Sequence, residues 1–258
     1  MKPIYAGILN LLGFGLVITM NALANILPIN GYNTGQVSAF YPNYFVPAGF
    51  TFGIWGIIYL LLMGYVICSL LSPLTSFPEK ARKLIITTTP YFLITCVLNA
   101  SWIVAWHYLY LGLSLFIMLA FLVTLIALFL AINKSKLELR PFYRFWIYHP
   151  FVVYLGWISV ATIANVTALF VGLGWQGEPL TATTWSISLI IIALVLGILM
   201  VGKKKEPAYG FVLAWAFFGI YGGQFKGAPM VGYTAAIASS FILALTITIL
   251  IKSKKALR

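Results

Sequence analysis

Long apolar stretches alternate with short polar gaps along the whole chain. Most of the stretches approach the ~20 apolar residues that a helix needs to cross a bilayer. They span roughly 4–28, 49–72, 84–107, 110–133, 146–172, 184–201, 208–224 and 229–251. The stretch 208–224 is the weakest of them, because it is short and broken by glycines. The pattern predicts an all-α, polytopic membrane bundle of about eight transmembrane helices.

Basic residues mark every second gap. Of the 16 Lys and Arg residues, all except Lys226 lie at the two termini or in alternate gaps. The gaps that hold them contain Lys80, Arg82 and Lys83, then Lys134, Lys136, Arg140 and Arg144, then Lys203, Lys204 and Lys205, and last the tail Lys252 to Arg258. Cytoplasmic loops of membrane proteins carry this excess of positive charge. We therefore expect a multi-pass protein of the plasma membrane with both termini in the cytoplasm.

Composition excludes a soluble domain. The 258 residues are 62% hydrophobic and 8% charged, which leaves too little polar surface to cover a water-soluble fold. The lipid bilayer is therefore the expected partner of most of the surface. The net charge of +12 belongs to short flanking segments, which suit anionic lipid headgroups, so we expect no nucleic-acid binding.

The chemistry that an enzyme or an ion-coupled carrier needs is scarce. The chain has no aspartate, and its four glutamates all fall in predicted loops. Cys68 and Cys96 are interpreted as packing residues, and His107 and His149 are not spaced as a metal pair. We therefore assign no catalytic residue and no metal site, and we predict that the protein is not an enzyme and requires no cofactor.

Three stretches place aromatic and polar side chains on one helical face, at spacings of three or four residues. The stripes are Phe52, Trp55, Tyr59 and Met63, then Thr95, Asn99, Trp102 and Trp106, and then Tyr154, Trp157, Ala161 and Asn165. Helix packing alone also produces such stripes, and this alternative stays open. The amides of Asn99 and Asn165 favour a binding site, because a buried amide must find a partner on another helix, a water or a ligand.

The longest uncharged connection, residues 28–49, is rich in Tyr, Phe, Asn and Pro. It can fold over the helix ends as a lid, or it can be an ordinary aromatic belt at the membrane interface. The sequence does not choose between the two. Further along, His149-Pro150 predicts a kink near the start of the fifth stretch.

Together, these motifs resemble the tryptophan-rich sensory protein or translocator protein family (TspO/MBR). The matching segments are Pro47-Ala48-Gly49-Phe50-Thr51-Phe52-Gly53-Ile54-Trp55 with Tyr59 and Met63-Gly64, then Leu98-Asn99-Ala100-Ser101-Trp102, and then Tyr154, Trp157, Ala161 and Asn165. Phe50, Ala48 and Val153 depart from the family pattern, which prefers tryptophan, proline and proline at these positions.

The resemblance implies a TspO/MBR-like five-helix bundle over residues 1–172, followed over 173–258 by three additional transmembrane helices and a basic cytoplasmic tail. It implies an apolar pocket between the second, third and fifth helices for a planar hydrophobic molecule, such as a porphyrin, another tetrapyrrole or a sterol-like compound. The ligand-binding residues it implies are Phe52, Trp55, Tyr59, Asn99, Trp102, Tyr154, Trp157, Ala161 and Asn165. Tyr41, Pro42, Pro47 and Phe50 would belong to the lid loop.

The leading hypothesis is a membrane sensor or transport accessory that binds such a ligand. The alternative is a secondary transporter of a small hydrophobic or amphipathic solute, in which the last three helices complete the path. A membrane-embedded enzyme is the weakest reading, because no nucleophile and base can be paired in the bundle. The oligomeric state stays open between a monomer and a homodimer, since Gly219-x-x-x-Gly223 is only a weak pairing signal.

Overall fold

A computed structural model describes residues 1–27, 29–133, 139–175 and 181–255. Within these ranges the chain is helical and contains no strand. The α-helices are α1 Pro3–Asn25, α2 Thr34–Ala39, α3 Ile54–Leu71, α4 Glu79–His107, α5 Leu111–Asn133, α6 Pro141–Ile147, α7 His149–Gly172, α8 Ala182–Ile198, α9 Pro207–Gln224 and α10 Pro229–Lys255. The predicted loop cations Lys134 and Lys136, the loop carboxylates Glu138 and Glu178, and the end of the basic tail lie outside the described residues.

The prediction of a polytopic helical bundle is confirmed. All eight apolar stretches form helices, and seven helices in the described ranges are long and apolar enough to cross a membrane. The exception is α9, the helix of the weak stretch 208–224, which has 18 residues. It begins at Pro207 and ends with Gly222, Gly223 and Gln224, so its two ends contribute little hydropathy.

The fifth stretch is interrupted where His149-Pro150 predicts a kink. The short helix α6 ends at Ile147 and α7 begins at His149. A proline in the first turn of a helix lacks only an N–H that would be unpaired anyway, so Pro150 fits the start of α7. One boundary in the prediction is wrong for a similar reason. The predicted apolar stretches left a gap over 134–145, but a helix already begins at Pro141, where a proline is again compatible with the first turn.

The chain forms two compact units. Unit 1 consists of Met1–Val37 and Ile54–Leu155, and unit 2 consists of Ser38–Gly53 and Gly156–Arg258. The boundary between the units therefore passes through α7. The division at residue 172 concerns family resemblance rather than compactness, and it stays a prediction.

In unit 1, α1 packs against α3 and α4, and α4 packs against α5. Glycine permits the first of these approaches, since a Cβ on Gly7 would lie 3.0 Å from the backbone oxygen of Ser69. A ring cluster fills the core, with Tyr65 edge-on to Phe92 and Phe151 at centroid distances of 5.2 and 4.9 Å. Cys68 and Cys96 are buried and free, in agreement with a packing role.

In unit 2, α10 packs along α9 and also contacts α8. The segment before α3 lies on α9. The Gln224 side chain donates to the Val46 carbonyl at 2.9 Å, and the Ala48 N–H donates to the Gly219 carbonyl at 2.9 Å. A Cβ on Gly219 would collide with the Thr51 side chain. The glycines of α9 therefore receive this segment of the same chain, and they are not an open surface for helix pairing.

Candidate functional site

The buried amide of Asn99 is the polar centre of the predicted site in unit 1. Asn99 is fully buried on α4, and its Nδ2 donates to the Tyr154 hydroxyl at 3.0 Å. Its Oδ1 accepts from Asn21 Nδ2 at 2.9 Å, and the same Asn21 amide also donates to the Val17 carbonyl in α1. One amide thus connects α1, α4 and α7, as its predicted inward orientation requires.

Aromatic rings cover this polar centre. Trp55 stacks on Tyr59 one turn further along α3, with ring centroids 5.5 Å apart and planes at 23°. The same indole meets the Tyr154 ring edge-on at 5.9 Å, and Phe121 of α5 meets Tyr154 at 5.1 Å. Three of the predicted site residues, Trp55, Tyr59 and Tyr154, therefore form one continuous aromatic wall, which we call the unit 1 wall.

Two of the predicted site residues in unit 1 have a buried polar atom without a hydrogen-bond partner in the described residues. Among the residues that the structure describes, neither the Tyr59 hydroxyl nor the Trp102 indole nitrogen makes a hydrogen bond. The Tyr59 hydroxyl lies near the amides of Asn21 and Asn99. Trp102 is one helical turn from Asn99 on α4 and stacks on Trp106 at 5.7 Å. A buried donor without an acceptor costs on the order of 1–3 kcal/mol, so these groups need an explanation.

The remaining predicted binding residues belong to unit 2. Phe52 is half-buried in the short 3-10 helix Gly49–Gly53, and its ring meets the buried Trp157 edge-on at 6.2 Å. Ala161 is half-buried and Asn165 is buried, one and two turns further along α7. The role of these four residues in binding stays a prediction.

The four predicted lid residues also belong to unit 2, where their surroundings differ. Pro42 lines a cavity, and Tyr41 is half-buried. Pro47 belongs to the segment that lies on α9, between Val46 and Ala48. Phe50 is half exposed and packs edge-on against Trp215 at 5.5 Å. The loop is thus partly ordered on helix α9, and its role as a lid stays a prediction.

The buried His107 connects the end of α4 to the loop after α1 by hydrogen bonds. Its Nδ1 is 2.8 Å from the Ile103 carbonyl, which can only accept, so Nδ1 carries the proton. Nε2 is then free to accept from the Thr34 hydroxyl at 3.4 Å, and the His107 carbonyl accepts from Asn30. The end of α4 therefore fixes the loop that follows α1. No group of three metal-type ligands occurs among the described residues.

Sequence reasoning missed Asn21 as a partner of the site. The residue was visible as a polar interruption of the first apolar stretch, but its position against Asn99 depends on how α1 lies along α4. Asn10, a second interruption of the same stretch, forms a separate polar network with α3 and α4. A buried asparagine in a membrane helix was the signal in both cases.

Comparison with known proteins agrees with the motif resemblance. A family model described as TSPO-like protein matches residues 7–249. The match continues past residue 172, so the three last stretches lie inside the matched region, although the resemblance had been expected to end before them. No curated protein and no solved structure matches the chain significantly. With this family match and its bundle of apolar helices, this multi-pass membrane protein belongs to the TSPO-like family.

Proposed function

We propose that the protein binds a planar, hydrophobic small molecule of the porphyrin type at the unit 1 wall, and that it acts in the plasma membrane as a sensor or transport accessory. The observation that carries this proposal is a pair of buried polar atoms without a hydrogen-bond partner in the described residues, Tyr59 Oη near the Asn99 amide and Trp102 Nε1 one helical turn from Asn99 along α4. A ligand with acceptor groups would satisfy both donors.

The chemistry of the wall fits a flat ligand. Its surface consists of the Trp55, Tyr59 and Tyr154 rings, which offer faces and edges for stacking. Its polar groups are few, and such sites bind largely apolar molecules whose orientation is set by a small number of hydrogen bonds. Family membership supports the same assignment, since the motif residues of the resemblance supply the wall.

The proposal is tested by titrating the purified protein in lipid nanodiscs with protoporphyrin IX. Tryptophan quenching and the porphyrin absorption band are followed together, so that the loss of an indole does not remove the readout. The site variant is Trp55→Phe, which changes one ring of the unit 1 wall. The matched control is Trp146→Phe, which removes one indole from the same unit but leaves the unit 1 wall intact.

We expect saturable binding to the unchanged protein, at micromolar ligand or below. The dissociation constant should rise about tenfold in the site variant and stay within about twofold in the control, because ring anchors dominate binding energy. An equal change in both variants would place the ligand elsewhere. Absence of saturable binding would overturn the proposal.

A further inference from the structure

Unit 2 contains a cavity whose lining includes no residue of the unit 1 wall. Its volume is about 670 Å³, which is within the range of small-molecule sites. The loop segment 38–46, the last turns of α7, the first turns of α8 and the end of α9 surround it. The lining residues are Ser38, Ala39, Pro42, Asn43, Tyr44, Val46, Thr167, Val171, Trp175, Ala182, Trp185, Ser186 and Gln224.

Two tryptophans that contact each other, Trp175 and Trp185, form one wall of this cavity. Trp175 and Trp185 meet edge-to-face, with ring centroids 5.0 Å apart and planes at 72°. Phe170 contacts both of them, at 5.9 and 5.7 Å. Mutual edge contacts hold the two indoles in fixed orientations, so the wall is preorganised for a flat partner.

One donor in the cavity lacks an acceptor. Within the described part of the chain, Trp185 Nε1 is buried and makes no hydrogen bond. An indole N–H can only donate, so neither rotation nor a change of protonation can satisfy it. The cost of burying it unpaired is the reason to expect an acceptor in the cavity.

Three of the neighbouring polar side chains already make hydrogen bonds. Thr167 donates to the Ile163 carbonyl at 3.2 Å, and Gln224 Nε2 donates to the Val46 carbonyl at 2.9 Å. Asn43 bonds within its own loop, to the backbone of Tyr41 and Phe45. The hydroxyls of Ser38, Tyr44 and Ser186 also line the cavity, and among the described lining residues the Trp185 N–H is the buried donor without a partner.

The lack of charge on the described lining residues favours a neutral ligand. Among the described residues that line the cavity none is charged, so none of them compensates a carboxylate or an ammonium group. We propose that unit 2 has a second ligand site, for a neutral, flat aromatic carbonyl compound whose oxygen accepts from Trp185 Nε1. The site is independent of the proposed function, because none of its lining residues belongs to the unit 1 wall.

The test uses menadione, a neutral naphthoquinone, with the full chain in lipid nanodiscs and with protein-free nanodiscs as the background. Dissociation constants are measured by calorimetry for the unchanged protein and for Trp185→Phe, which keeps an aromatic ring but removes the donor. The matched control is Trp215→Phe in the same unit, whose N–H is satisfied by the Thr51 carbonyl. A second variant, Ala182→Trp, introduces a large ring at an exposed position on the cavity lining.

The hydrogen bond is isolated by repeating the titrations with 2-methylnaphthalene, which has the flat shape but no carbonyl. We expect Trp185→Phe to weaken menadione binding about five- to tenfold and to leave 2-methylnaphthalene unchanged, since only the donor differs. Ala182→Trp should abolish binding of both, and Trp215→Phe should affect neither.

Saturable binding that is insensitive to both cavity variants would overturn the assignment of the site. Absence of saturable menadione binding to the unchanged protein would overturn the proposed ligand class. Either failure is distinct from failure of the proposed function, because protoporphyrin IX binding is measured on the Trp55 variant of unit 1. Trp185→Phe should leave the porphyrin dissociation constant unchanged.

Discussion

Two buried asparagines in unit 1 form polar networks that differ in how completely they are satisfied. The Asn10 network connects α1, α3 and α4 through hydroxyl groups. Asn10 Nδ2 lies 3.1, 2.8 and 3.1 Å from the hydroxyls of Tyr65, Ser69 and Thr89. An amide has two donor hydrogens, so these three acceptors compete for them and no donor is left over.

The Asn99 network has the opposite balance. Its amide donates to Tyr154 and accepts from Asn21, yet two further polar groups of the predicted site, the Tyr59 hydroxyl and the Trp102 N–H, have no hydrogen-bond partner within the described residues. The unpaired atom of the first network is an acceptor, Asn10 Oδ1. A buried carbonyl-type oxygen without a partner is less unusual than an unpaired buried N–H, such as that of Trp102, which proteins rarely tolerate.

The difference separates a structural role from a binding role. A network whose donors are all used holds helices together, whereas one that leaves donors next to stacked rings is prepared for a molecule that supplies acceptors. We infer that Asn10 mainly stabilises unit 1 and that Asn99 mainly supports the ligand site. Each of the following substitutions tests one side of this contrast.

The largest expected effect is on stability, at Asn10. Asn10→Leu removes the shared donor of three buried hydroxyls and should lower the free energy of unfolding by about 2 kcal/mol. Asn25→Leu, on the same helix, is the matched control, because Asn25 is exposed and donates within α1, to the Asn21 carbonyl. Denaturant unfolding in bicelles measures both. A porphyrin affinity that fell together with stability would remove the contrast.

At Asn99 the larger effect should be on binding. Asn99→Leu removes the donor to Tyr154 and the acceptor for Asn21, so the wall loses its support. We expect porphyrin affinity to fall about tenfold, which corresponds to about 1.4 kcal/mol, with a smaller loss of stability than at Asn10. Calorimetric titration beside denaturant unfolding checks both values. Unchanged affinity would make Asn99 a second structural asparagine.

A smaller effect is expected at Tyr59. Because its buried hydroxyl has no partner in the described ranges, Tyr59→Phe should leave the stability of the ligand-free protein unchanged or raise it by up to about 1 kcal/mol. Porphyrin affinity should fall about threefold, since the ligand loses one hydrogen bond. Thermal unfolding with and without porphyrin separates the two effects. A clear loss of stability without ligand would mean that the hydroxyl is satisfied in the free protein.

Most of the fold could be predicted from the sequence, because apolar stretches of bilayer length report helices directly. The same holds for the inward orientation of Asn99, since an amide is costly in lipid. The pairing of Asn99 with Asn21 could not be predicted, because it depends on how far α1 is displaced along α4. Periodicity within a single helix carries no information on that displacement.

The glycines of α9 show the same limit. In the sequence they indicated a weak helix and a weak pairing motif. In unit 2, Gly219 instead accommodates Thr51, which precedes it by many residues. A glycine predicts that some group comes close, but not which one. For the same reason the cavity at Trp185 was not predicted, since its walls come from segments far apart in the chain.

The most direct test compares two fully buried tyrosines of unit 1, each of which accepts from a buried asparagine. Tyr154 accepts from Asn99 at 3.0 Å, and Tyr65 accepts from Asn10 at 3.1 Å. Protoporphyrin IX is titrated calorimetrically into Tyr154→Phe and Tyr65→Phe under identical conditions. The predicted result is affinity reduced about fivefold in Tyr154→Phe and unchanged in Tyr65→Phe, as the loss of one hydrogen bond at the site requires. Equal affinities in the two variants would contradict the assignment of the ligand site to the Asn99 network.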